Sequence, residues 1–314
     1  MISLEALYVL CRFFHFVVVM LMFGFSLFTA MLASGRFSVL MRERLRVGVS
    51  ISTVLALITS IVWFIIQAGL MGDGWHDVYQ FDIWLAVLRT AFGQVWKWQL
   101  LVAALAVACL FFFHTKTRNF LLLGCSVILL SSHAFIGHAA MHEGNIGLLL
   151  QANQIVHLLS AGYWFGGLWP FLLCLQFLRL KNTLNSNLYR DGTYSGYIAD
   201  KLSGESVAAM RKFSNYGHFA VFMVIITGIV SSIILIPDWP VFSTTISEYQ
   251  SMLWLKIALV AGMVLLALIN RYILVPRLNQ KRRYEWLTMN SWLEIILGTS
   301  VLLCIAIFAT EPPV

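Results

Sequence analysis

Eight times along the 314-residue chain a run of mostly apolar residues is long enough to cross a bilayer, at about residues 5–33, 47–71, 96–114, 119–140, 150–179, 213–236, 251–275 and 290–310. A helix advances only ~1.5 Å per residue, so ~20 apolar residues are needed to span the hydrocarbon layer. With no water there to satisfy free backbone groups, such runs must be helical. The expected fold is therefore all-α, a polytopic membrane bundle of about eight transmembrane helices. Composition agrees: 60% hydrophobic and 11% charged residues are too apolar for a soluble globule. Residues 1–314 read as a single transmembrane domain, with five helices over 5–180, a cytoplasmic loop over 181–212 and three helices over 213–314. The Asn, Ser and Gly content of 181–212 allows at most a short helix there.

The basic residues set the orientation. Of the 21 Lys and Arg, all but Arg12, Arg89, Lys97 and Lys256 gather in the first, third, fifth and seventh connections. Cytoplasmic connections carry the positive charge, which predicts N-out and C-out. The net charge of +7 is thereby accounted for, and nucleic acid is not an expected partner; membrane lipids are. The N-terminal run, MISLEALYVLCRFFHFVVVMLMFGF, has no small-residue cleavage site and is expected to stay as the first membrane helix. Cys11, Cys109, Cys125, Cys174 and Cys304 lie singly in apolar segments and read as small buried hydrophobes, with Cys11 near His15 as the one alternative soft ligand. The outer segment GDGWHDVYQFDIWLAVLRTAFGQVW reads as an amphipathic surface piece; with PDWPVFSTTISEYQ it makes the outer mouth mildly acidic.

The stretch SSHAFIGHAAMHEG places His133, His138 and His142 around Met141 at the outer end of the fourth run. His138 and His142 share a face if the helix continues, as two metal ligands on one helix must. His133 is about 140° round, so a straight helix cannot aim all three at one ion. An unwound end after Gly137 or two separate sites would resolve this. Counting from residue 119 places His133 ~20 Å into its span, where an ionisable side chain usually faces the bundle interior. His157, ~10 Å down the fifth run, and His15 on the first fall at comparable depth. Three imidazoles converge there if those helices are neighbours. Soft thioether and imidazole ligands suit Cu(I) rather than Cu(II) or hard cations.

In the fifth run Asn153, His157, Ser160 and Trp164 form a semi-polar stripe, Gly162 and Gly166 a small-residue packing face, and Pro170 breaks a backbone hydrogen bond. On the inner side Glu294 has Arg271 as its expected partner and is the natural inner relay if an ion passes, with His218 near it. No zinc-protease, nucleophile-elbow, phosphate-loop or dinucleotide motif occurs, so the chain is not expected to be an enzyme.

At FIGHAAMHEGNIGLLLQANQIVHLLSAGYWFGGLWPFL the chain resembles the CopD/PcoD family of bacterial inner-membrane copper resistance proteins. The G-H-A-A turn at Gly137–Ala140 and the pattern N-x-x-x-H-L-L-x-A-x-x-W-x-G-G-L at Asn153–Leu168 carry the likeness. Later stretches containing Lys256, Asn270, Arg271 and Glu294 extend it. The resemblance implies copper handling on the periplasmic side and inward movement, beside a periplasmic copper-binding partner of the CopC type. It marks His138 and His157 as metal candidates. In TGIVSS, Ser231 stands where the pattern leads one to expect Asn, and no Met-rich run is present. The expected site is therefore His138, His142, His157, His133, Met141 and His15 for copper. Two readings stand beside it: a membrane haem b protein with bis-His ligation by His133 and His157, and a scaffold for a periplasmic partner.

Overall fold

The computed structural model describes residues 3–137, 142–188, 194–235, 248–275 and 281–308. Its helices are α1 (Leu4–Leu27), α2 (Gly35–Met71), α3 (Phe81–Arg89), α4 (Ala91–Phe112), α5 (Thr115–Ser132), α6 (Gly144–Leu188), α7 (Tyr194–Leu235), α8 (Glu248–Ile269) and α9 (Lys281–Phe308). No strand occurs among the described residues. Eight of these helices, all but α3, are long and apolar enough to cross a membrane, one for each expected run. The chain is an all-α polytopic bundle.

Local chemistry starts the helices where the sequence provides caps. Ser3 Oγ accepts the Ala6 N–H at 3.2 Å with Glu5 in the first turn of α1, and Thr90 Oγ1 accepts the Gly93 N–H at 3.1 Å at the start of α4. The short α3 lies in the segment expected to be an amphipathic surface piece; the Trp84 indole N–H ties it back to the Val78 carbonyl at 2.9 Å. The stretch 181–212 differs from expectation. Instead of a loop it is largely helical, since α6 runs on to Leu188 and α7 begins at Tyr194. Continuation of two long, well-packed helices outweighs the weak helix propensity of its Asn, Ser and Gly. One consequence is a cap made at long range. Gly35 takes φ +59°, and Glu205 of α7 accepts the Phe37 N–H at 2.8 Å, covering a free donor at the start of α2.

α1 is the central helix, packed against α2, α5, α6 and α9. Its contact with α6 is backbone to backbone. A Cβ added at Gly24 would collide with the Gly166 backbone, and one at Gly166 with the Met20 carbonyl. Gly162 on the same face meets only the Leu130 and Phe23 side chains. The glycine pair thus permits the approach that brings the polar groups of the two helices to one level. Two π-helical turns, Phe28–Leu32 and Asn270–Leu274, interrupt the regular ladder at the ends of α1 and α8. The second places Asn270 in the interior.

Candidate functional site

In the half of the bundle that holds the start of α1, expected from the charge pattern to be the outer half, the structure brings His15 and His133 together, with ring centroids 5.1 Å apart and planes tilted by 42°. His15 is fully buried on α1, and His133 is 5% exposed at the start of the 3₁₀ turn that ends α5. Phe16, Trp63 and Trp96 wall the pair, with centroids 4.8, 5.8 and 6.1 Å from His133. Trp96 is held by its indole N–H on the Ser60 carbonyl at 2.9 Å.

Hydrogen bonding assigns the tautomers. The Thr59 hydroxyl donates to the Leu55 carbonyl at 2.7 Å, so its oxygen accepts from His15 Nδ1–H at 2.8 Å. The His15 Nε2 lone pair then accepts from the Gln99 amide at 3.0 Å, and Gln99 Oε1 accepts from the Ser132 hydroxyl. His133 donates Nδ1–H to the Leu129 carbonyl at 2.7 Å, which leaves Nε2 as a buried lone pair with no hydrogen-bond partner. Such an orphan costs about 1–3 kcal/mol, and a donor or metal brought to it removes that cost. Sequence reasoning passed over Gln99, Thr59 and Trp63. Gln99, an amide in an apolar run and 1% exposed, was the signal available.

His157 faces another neighbourhood. It donates Nδ1–H to Thr227 Oγ1 of α7 at 2.8 Å, while Asn153 reaches the Thr227 carbonyl at 2.9 Å and Ser231 Oγ at 2.8 Å. Lys256 of α8 lies within electrostatic range of His157 and of Cys304. The serine that departs from the family pattern thus serves as an acceptor for Asn153. The pair named for haem ligation, His133 and His157, differs in its partners: one packs among aromatic rings of α1, α2 and α4, the other hydrogen-bonds α7.

His138 and Met141 lie outside the described residues. Before them, the regular helix of α5 ends at Ser132 and Gly137 is left-handed at φ +75°. His142 is exposed and precedes α6. Among the described residues no group of three or more His, Cys, Asp or Glu is placed to hold a metal ion. The cysteines are free, and all but the half-buried Cys125 are buried.

At the other level of the bundle Glu294 does not pair with Arg271. Its carboxylate oxygens accept from the Trp164 indole N–H at 3.0 Å and from the Asn270 amide at 2.6 Å; Asn290 donates to Asn270 Oδ1 at 3.0 Å. Arg271 instead donates to Ser214 Oγ and Asn215 Oδ1, both at 2.7 Å. Successive residues on a helix point about 100° apart, so Asn270 and Arg271 reach different partners. His218 donates to the Ser214 carbonyl at 2.7 Å. Glu294, Arg271 and His218 nevertheless line one cavity of about 310 Å³ between α6, α7, α8 and α9. The semi-polar stripe of α6 therefore serves both levels, Asn153 and His157 at the one and Trp164 at the other.

Fold and site together define a multi-pass α-helical membrane protein that buries imidazole groups at one level and a carboxyl group at another. The chain belongs to the copper resistance protein D family: the model described as Copper resistance protein D-like, N-terminal domain, matches residues 1–148, and that described as Copper resistance protein D matches 207–308. It is 35% identical over 306 residues to Inner membrane protein YebZ of Escherichia coli (strain K12), covering 96% of this chain and 97% of that protein. It is 27% identical over 284 residues to Copper resistance protein D of Pseudomonas syringae pv. tomato, covering 87% and 83%. No solved structure matches it. It is a multi-pass protein of the inner membrane.

Proposed function

We propose that this protein contributes to copper resistance by taking copper, as Cu(I), from the periplasmic side into the outer half of the bundle and passing it inward. Family membership and the name Copper resistance protein D of its relative support the copper assignment. The observation that carries the site is the unpartnered Nε2 of His133 beside the buried ring of His15. Two neutral imidazoles in an apolar pocket suit a soft, low-coordinate monovalent ion. Gln99 must turn from His15 Nε2 for both rings to bind. Because that exchange replaces one weak bond by another, the station releases as well as captures, as conduction requires.

In this reading the termini face the periplasm, His138, Met141 and His142 form the mouth, and a CopC-like protein delivers the ion there. His157 is a second outer station. Glu294, Arg271 and His218 mark the inward route, and no chemical transformation is involved. The test is copper analysis and a visible spectrum of the purified protein beside His133→Ala, His15→Ala, His138→Ala and His157→Ala. Copper bound by wild type and lost in the first two, with no Soret band, is the expected result. A Soret band lost with His157→Ala would replace this reading by a haem b protein.

A further inference from the structure

Arg12 adds a charge that the imidazoles do not require. Two turns into the membrane along α1, its guanidinium carbon lies 5.9 Å from the Phe16 ring centroid and 5.8 Å from that of Trp63. The same two rings wall His133. Arg12 lies within electrostatic range of the Tyr8 hydroxyl and of His133, while its Nε is buried with no hydrogen-bond partner. Among the described residues the ion pairs are Arg46 with Glu43 and His76 with Asp77, so no carboxylate neutralises Arg12. A guanidinium stays charged under all conditions the protein meets.

We propose that Arg12 makes the His15 and His133 station selective for a monovalent ion, a role that rests on the copper reading above. The ligands are neutral, so the full charge of a bound ion faces the guanidinium through apolar surroundings. At a separation on the order of 10 Å and an effective dielectric of about 20, each unit of metal charge weakens binding by a factor on the order of ten. A divalent ion incurs that factor twice, a monovalent ion once.

The experiment uses the purified full chain, with Ag(I) as a redox-inert monovalent probe and Zn(II) as the divalent one. Competition binding is compared for wild type, Arg12→Met, Arg12→Gln and Arg12→Lys. The two neutral variants are expected to shift the Zn(II) to Ag(I) affinity ratio toward zinc by about tenfold, with Arg12→Lys keeping the wild-type ratio. Tyr8→Glu, which places a counter-charge beside an intact Arg12, is expected to shift it in the same direction and covers the case in which the neutral variants fail to fold. Wild type binding Ag(I) through His133, with a ratio unmoved in the folded variants, would overturn the role of Arg12 and leave the station standing. Wild type binding no Ag(I) would remove the station and this inference with it.

Discussion

Gly166→Ala, compared with Gly162→Ala one turn away, tests the packing on which the outer level depends. Either change adds a methyl group and gains about 1 kcal/mol of helix propensity. The neighbours differ. At Gly166 the new Cβ meets the Met20 carbonyl and lies 3.0 Å from Gly24 Cα, all backbone, so α1 and α6 must part. At Gly162 it meets Leu130 Cδ1 at 3.0 Å and Phe23 Cδ1 at 3.1 Å, flexible ends that can turn away. Overpacking against rigid atoms costs about 1–3 kcal/mol and sits at the top of that range here, so Gly166→Ala should destabilise by about 1–2 kcal/mol net. Gly162→Ala should lie within about 0.5 kcal/mol of wild type, because flexible neighbours keep its overpacking cost close to the propensity gain. Thermal unfolding in one detergent, followed by tryptophan fluorescence, ranks the two. A Gly166→Ala protein as stable as Gly162→Ala would refute the backbone-contact argument.

Other outcomes follow from contacts already described. Asn270→Leu strips Glu294 of one donor and Asn290 of its acceptor, so it should cost about 2 kcal/mol or more; adding Glu294→Leu should restore part of that loss in a double-mutant unfolding cycle. Glu205→Ala uncovers the Phe37 N–H and should cost about 1 kcal/mol, while Glu205→Gln, which keeps an oxygen acceptor, should cost less in the same assay. Asp77 is held below the ordinary carboxylate range, first by the Asp73 N–H and then by His76. A depressed pKa stabilises above the unfolded value and is lost as pH falls through the folded one. The turn around Asp77 should therefore hold at neutral pH and loosen only in acid, a transition absent in Asp77→Asn and visible by hydrogen exchange at residues 72–80.

The eight spans were legible because a bilayer imposes a length on apolar runs that little else in a sequence imitates. Depth was legible too: counting along the helices put His15 and His133 at one level. Azimuth was not. Whether a residue on an apolar helix faces lipid or interior cannot be read when both environments are apolar, and for this reason Trp63 and Trp96 went unremarked and His157 was grouped with His133. Glu294 was assigned to Arg271 by proximity of opposite charges, whereas its partners proved to be the neutral donors Trp164 and Asn270. Opposite charge drew the expectation to Arg271, whereas Asn270, the residue before it, is the one that reaches Glu294.

The glycine crossing has a geometric consequence for His15 and His157. α1 and α6 are the first and fifth spans, so they run in the same direction, and His15 and His157 each stand nine residues ahead of Gly24 and Gly166. The helices form a pair of scissors pinned at the glycines, with arms of equal length, ~14 Å each. Opening the blades by ~10° would carry the two histidines about 2 Å apart, a shift comparable to a metal–ligand bond. Pro170 removes the N–H that would otherwise bond the Gly166 carbonyl, so the backbone of α6 is freest to yield at the pin itself.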